Sequence, residues 1–133
     1  MRPYLEANTE EVAKNFRESG ILDSKVVFAK GFFNETMPPL APRIKRLPVM
    51  RLDGDMYQST VDVLYHLYDK LSVGGYVILD DWFKFPAKTA CEYFFRLHNI
   101  SPETEVIDDL AVYWKKTKDV DIQYWRYEQM KFK

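Results

Sequence analysis

The stretch VMRLDGDMYQSTVDVLYHLYDKLSVGGYVILDDW, Val49 to Trp82, decides the fold because it holds a complete strand–helix–strand pattern. Val49–Leu52 is a short apolar run and reads as a strand. Between Tyr57 and Leu71, apolar residues recur at Val61, Leu64, Tyr65, Tyr68 and Leu71, the spacing of an amphipathic helix. Ser72-Val73-Gly74-Gly75 breaks that period, and Tyr76–Leu79 is then apolar on both faces. Continuous apolarity of that kind predicts a parallel strand buried between two helix layers.

Both predicted strands end on acids, Asp53 and Asp55 after the first and Asp80-Asp81 after the second. Successive strands of a βαβ unit are parallel, so their carboxyl ends share the edge where doubly wound sheets bind ligands. The expectation is that Asp53, Asp80 and Asp81 converge there. Carboxylates brought together repel unless a cation or protons intervene. An oxygen-only, histidine-free set suits Mg²⁺ or Ca²⁺. The competing interpretation makes these acids helix caps or solvated loop residues, which are common after strands. Asp55 is read that way, with its carboxylate aimed at the start of the Tyr57 helix.

Outward from this unit the alternation continues. Asn8-Thr9-Glu10-Glu11 is a helix start, with acids where the dipole favours them, and Gly20 ends that helix. Lys25–Gly31 reads as a strand, Phe32–Thr36 as one helical turn, and the proline-rich Met37–Pro48 as a loop. Arg43, Lys45 and Arg46 in that loop are read as a solvated face. A helix is expected over Ala87–Asn99, followed by strands at Glu105–Ile107, Ala111–Trp114 and Gln123–Tyr127, the last an edge strand or subunit contact. His66 is read as a structural histidine, His98 as a surface residue at a helix end, and Cys91 as a small packed hydrophobe. Tyr57 and Trp82 flank the acids and are candidates to line a substrate site.

Composition bounds the rest. The 133 residues are one domain's length, and 16% aromatic content excludes a solvating, disordered tail. A net charge of −1 with interspersed signs gives no bulk attraction to nucleic acid or an anionic membrane. The single cysteine rules out an internal disulfide framework, so a reducing, cytoplasmic location is expected.

The block RLDGDMYQSTVDVLYHLYDKLSVGGYVILDDW, with NTEEVAKNFRESGILDSKVVFAKGFFNETMP upstream, resembles the macrocin O-methyltransferase (TylF/MycF) family. The resemblance spans Glu6 to Trp114, with the Asp-Gly-Asp-x-Tyr and Gly-Gly-Tyr-Val-Ile-x-Asp-Asp elements in register. It implies an α/β, Rossmann-like methyltransferase fold whose sheet is mostly parallel, with antiparallel strands at the C-terminal end. The implied activity is S-adenosylmethionine- and Mg²⁺-dependent O-methylation of a hydroxyl on a sugar or related small molecule. It carries metal ligation onto Asp53, Asp80 and Asp81, and Asp53 is the candidate catalytic base.

One departure from the family pattern counts against a complete enzyme. Its glycine-rich cofactor loop has no counterpart, since Gly74-Gly75 precedes a strand. Matched to the family, residues 1–133 are expected to form a single partial domain, the metal and acceptor half, without the first two strands. Such a chain should bind S-adenosylmethionine poorly alone, and Val49–Leu52 should be left with an open, apolar edge. Its missing half would come from elsewhere, or the chain would form a homo-oligomer. A non-catalytic remnant serving as an interaction or dimerisation module is the alternative function.

Overall fold

A computed structural model of the chain describes residues 8–83 and 86–130. They divide into two compact units, the division along the sequence falling between Gly31 and Phe32. In the first, α1 (Thr9–Glu18) begins as its sequence predicts, the Asn8 side chain accepting the Glu11 N–H at 2.8 Å. Phe16 meets Phe28 edge to face at 5.6 Å. Lys25–Gly31 is not a strand: Val26 N–H closes a turn onto Asp23 O at 3.2 Å, and Val27 is exposed. A strand needs a hydrogen-bonded neighbour, and among the described residues none pairs with this segment.

The second unit holds a four-stranded mixed sheet of order β1-β2-β4-β3: β1 (Leu47–Leu52), β2 (Leu71–Leu79), β3 (Glu105–Val106) and β4 (Val112–Lys115). β1 and β2 are parallel, with α3 (Tyr57–Leu67) crossing between them; β4 is antiparallel to β2 and β3 to β4. Met50, Leu52, Val77, Leu79, Val112 and Trp114 alternate onto one face and join Val61, Leu64 and Tyr65 of α3. Ala90, Cys91 and Phe94 of α4 (Ala87–Leu97) complete that core. Burying a side chain such as Phe94 in it contributes about 2–3 kcal/mol. The opposite face carries Val49, Arg51 and Tyr76 and is exposed, so the expected second helix layer over β2 is not found among the described residues. β1 lies at the sheet edge, as its sequence predicts, with Val49 half-exposed.

Three boundaries differ from the sequence expectation. The proline-rich segment is not a loop, because α2 (Phe33–Leu40) runs through Pro38 and Pro39, and a 3₁₀ turn (Ala41–Arg43) follows. Each proline keeps a helical φ, but forfeits its N–H bond and crowds the carbonyl four residues back. The ladder resumes with Ala41 N–H on Met37 O, and both residues are buried. The long helix ends four residues early: Tyr68–Lys70 is 3₁₀, and β2 begins at Leu71. Ser72–Gly75 therefore lies inside β2, as an irregularity where the pairing passes from Leu47↔Leu71 to Val49↔Tyr76. Gly75 permits it, since a Cβ there would sit 2.7 Å from Pro48 O.

The third difference is Gln123–Tyr127, which is not a strand but a 3₁₀ turn (Tyr124–Arg126) leading into α5 (Tyr127–Met130). Gln123 N–H donates to His98 Nε2 at 2.9 Å and Tyr124 OH to His66 Nε2 at 2.6 Å. Tyr127 and Met130, three residues apart, are then buried at helical spacing. Both histidines donate from Nδ1 to a helix carbonyl, His66 to Asp62 O and His98 to Phe94 O, which fixes their tautomers. His98 is thus a buried docking group stacked on Phe94 at 4.2 Å, not a surface residue. Cys91 packs in the core as expected, and burial pushes its thiol well above the usual range. No described helix is long and apolar enough to cross a membrane.

Candidate metal centre

The parallel pairing of β1 and β2 ends at Leu52↔Leu79, and Asp80 N–H continues it onto Leu52 O at 3.0 Å. That ladder brings Asp53 and Asp80-Asp81 to one edge of the sheet. The loop from Asp53 into α3 is tight. Met56 N–H reaches Gly54 O at 2.6 Å, and Ser59 Oγ donates to the same carbonyl at 3.0 Å. Gly54 is required by close approach, since a Cβ there would lie 2.8 Å from Ser59 Cβ and 3.1 Å from the Phe33 ring. Asp55 adopts a left-handed backbone, φ 61°.

That backbone changes the role expected of Asp55. α3 is capped from Met56 with no side-chain hydrogen bond, so Asp55 is not an N-cap. Instead Asp53, Asp55 and Asp81 each place a carboxylate oxygen within 4.8 Å of the others. Asp80 stands apart from this trio: its Oδ2 lies 2.6 Å from Arg51 Nη2, an ion pair rather than an aligned hydrogen bond. The same guanidinium nitrogen is 3.5 Å from Asp53 Oδ2.

Asp81 is the anomalous member. It is 8% exposed, and its Oδ2 is buried with no hydrogen-bond partner. Its neighbours Asp55 and Asp53 are also acids, and two carboxyls bond each other only by sharing a proton. Burial, then the contact and charge of Asp55 and Asp53, push its pKa up to about 7.

Of the lining candidates, Trp82 is buried, its ring 6.2 Å from that of Trp114. Tyr57 is partly buried; its hydroxyl has no hydrogen-bond partner, and burial raises its pKa. Sequence reasoning missed Arg51. The signal was present, because Arg51 and Asp53 are two residues apart at the end of a strand and so face the same way.

A mixed α/β sheet with acids gathered outside its parallel carboxyl ends belongs to the Rossmann-like class, in which ligands bind at that edge. Within the class, the chain belongs to the macrocin O-methyltransferase family: the family model Macrocin-O-methyltransferase (TylF) matches residues 1–116. It is 45% identical over 115 residues to a demethyldecarbamoylnovobiocin O-methyltransferase of Streptomyces niveus, covering 86% of this chain and 43% of that protein. It is 42% identical over 113 residues to a mycinamicin III 3''-O-methyltransferase of Micromonospora griseorubida, covering 85% and 44%. A tetracenomycin-C rhamnosyl 4'-O-methyltransferase of Streptomyces olivaceus is also 42% identical, over 108 residues, covering 81% of this chain and 41% of that protein.

Among solved structures, the O-methyltransferase NovP superposes with a TM-score of 0.81 at 43% identity, over 86% of this chain and 47% of that one. The fold is therefore a partial methyltransferase fold of the Rossmann-like type, with its antiparallel strands at the C-terminal end as the resemblance implied. The chain spans less than half the length of the curated relatives it matches.

Proposed function

We propose that this chain supplies the metal- and acceptor-binding half of an S-adenosylmethionine- and Mg²⁺-dependent O-methyltransferase. Its methyl acceptor would be a hydroxyl of a sugar or related small molecule. Family membership and relatives named as O-methyltransferases support the reaction class. The observation that carries the metal assignment is the buried, unpartnered Asp81 Oδ2 within a cluster of carboxylates.

The donor set fits a hard divalent cation, being all oxygen at a sheet edge. Asp53, Asp80 and Asp81 would hold it beside Asp55, Asp80 joining the gathered Asp53, Asp55 and Asp81 by turning away from Arg51. A bound Mg²⁺ supplies a Lewis acid that makes an acceptor hydroxyl easier to deprotonate. Asp53, more exposed than Asp81, takes that proton at a carboxylate oxygen. Tyr57 and Trp82 adjoin the acidic loop and would bound the acceptor. The methyl donor is not assigned to residues of this chain. None of the five glycines forms a Gly-x-Gly loop, and Gly74-Gly75 lies inside β2.

Titrating the chain with Mg²⁺ by calorimetry tests the site. Asp80→Ala and Asp81→Ala should each weaken binding about tenfold or more, as loss of one charged ligand does; unchanged affinity in both would refute the assignment. The open β1 edge favours a second reading, a non-catalytic interaction or dimerisation module. A stable dimer in sedimentation that Val49→Lys dissolves, together with no metal binding, would support it.

A further inference from the structure

Among the described residues, Arg51 is a cation lodged at the acidic edge, and its position is uneven. Arg51 Nη2 sits 2.6 Å from Asp80 Oδ2 and 3.5 Å from Asp53 Oδ2, while Asp81 Oδ2 has no hydrogen-bond partner. We propose that Arg51 is a positioning residue that competes with the divalent cation for Asp80, so that metal entry exchanges a guanidinium for the ion. This rests on the metal reading given above and adds to it a device that sets affinity.

Geometry supplies the argument. Asp53 belongs to both groupings, the trio with Asp55 and Asp81 and the pair of contacts around Arg51. An ion lodged in the trio would therefore share a carboxylate with the Arg51 guanidinium, and the two positive charges would repel. Arg51 is free to withdraw, since its side chain is 62% exposed and Asp53 and Asp80 are its ion-pair partners among the described residues. Asp80 is anchored by its backbone N–H on Leu52 O, so its carboxylate can turn without breaking the ladder. A ligand that must first displace an internal partner binds more weakly by the cost of that displacement.

The test uses the full 133-residue chain and Mn²⁺ alone as probe, with affinity read by calorimetry and by the loss of the free-ion electron paramagnetic resonance signal. Arg51→Gln should tighten Mn²⁺ about tenfold, a usual size for coupling between linked sites. In an Asp80→Asn background the gain should be clearly smaller than in the parent, because only the longer Asp53 contact of Arg51 remains contested. Unchanged or weaker binding by Arg51→Gln overturns the proposal. So does an equal gain in both backgrounds, which would mean a general charge effect. The metal reading fails separately if Asp81→Asn binds Mn²⁺ as the parent does. Binding that needs Asp81 but ignores Arg51 refutes only the competition.

Discussion

Two clusters of buried polar side chains flank α3, and they are finished differently. At its C-terminal half, Asp62 Oδ1 accepts from Tyr127 OH and from Gln58 Nε2, and His66 and His98 each use both ring nitrogens. At its N-terminal end, Asp81 Oδ2 is as deeply buried and meets no donor. A buried polar group without a partner costs about 1–3 kcal/mol. The C-terminal cluster leaves a neutral hydroxyl, Tyr65 OH, without a partner but pairs its carboxylate and both imidazoles, whereas the acidic edge leaves a carboxylate oxygen bare; the first is structural and the second is completed by a ligand.

The widest separation between them should come from removing one acid at a time. Asp62→Ala leaves Tyr127 OH and Gln58 Nε2 without their acceptor in a buried place, and should cost about 3 kcal/mol in urea denaturation. Asp81→Asn should do the opposite in metal-free buffer near pH 8, gaining about 1–2 kcal/mol by removing an uncompensated buried charge. If Asp81→Asn destabilised the chain as much as Asp62→Ala, the distinction between the two clusters would collapse.

Titration sharpens the same contrast. The Asp81 pKa is raised from the ordinary aspartate value of 3.8 to about 7, so the folded chain holds a proton that the unfolded chain has released. Its contribution to stability is therefore full below pH 3.8 and lost as pH rises through 7. Metal-free melting temperature should fall over that window, Asp81→Asn should flatten the slope, and Mg²⁺ should restore stability at neutral pH in the parent alone. A melting temperature that climbs steadily from pH 4 to 7 without metal would contradict this.

Next in size is the hinge of the acidic loop. Gly54→Ala would press a methyl group onto Ser59 and Phe33, so α2 or the start of α3 must shift. Overpacking of this kind costs about 1–3 kcal/mol. Mg²⁺ affinity should drop with it, since Gly54 joins Asp53 to Asp55. An equal change within the C-terminal cluster should leave Mg²⁺ binding intact.

The two clusters also differ in how far the sequence revealed them. The acidic edge was legible because a parallel βαβ unit is local: the Val49–Leu52 run, the Tyr57 helix and the Tyr76–Leu79 run fix which ends meet. What that reasoning could not reach was side-chain choice at short range. The left-handed backbone at Asp55 and the reach of Arg51 to Asp80 decide which carboxylates gather, and neither has a period. The C-terminal cluster was misread because Tyr124, Trp125 and Tyr127 are strand-prone residues whose fate is set by distant partners. His66 and His98 precede them by 58 and 25 residues along the chain and capture Tyr124 and Gln123 through hydrogen bonds. Pro38 and Pro39 misled for a related reason, since burial of Met37 and Ala41 outweighs the helix bonds that proline forfeits.

The smallest effect expected is also the one with the opposite pH sign. Burial lowers the His98 pKa below its ordinary 6.5; the Arg126 charge adds to this, while the Phe94 carbonyl and Asp121 oppose it. The neutral ring is fully used, Nδ1–H donating to Phe94 O and Nε2 accepting from Gln123 N–H. A second proton at Nε2 would set two N–H groups against each other and release the docked C-terminal segment. The unfolded chain takes up its proton near 6.5, the folded chain only at lower pH, so this contribution is full above 6.5 and lost as pH falls below it. His98→Gln should flatten that acid limb while costing about 1 kcal/mol at neutral pH, the value of one ordinary hydrogen bond. In the parent chain the limb runs against the Asp81 slope, so the His98 term emerges cleanly only in the Asp81→Asn background. If acid below pH 6.5 left that background as stable as at neutral pH, the His98 docking would contribute nothing, and the C-terminal cluster would be held by its Asp62–Tyr127 and His66–Tyr124 contacts instead.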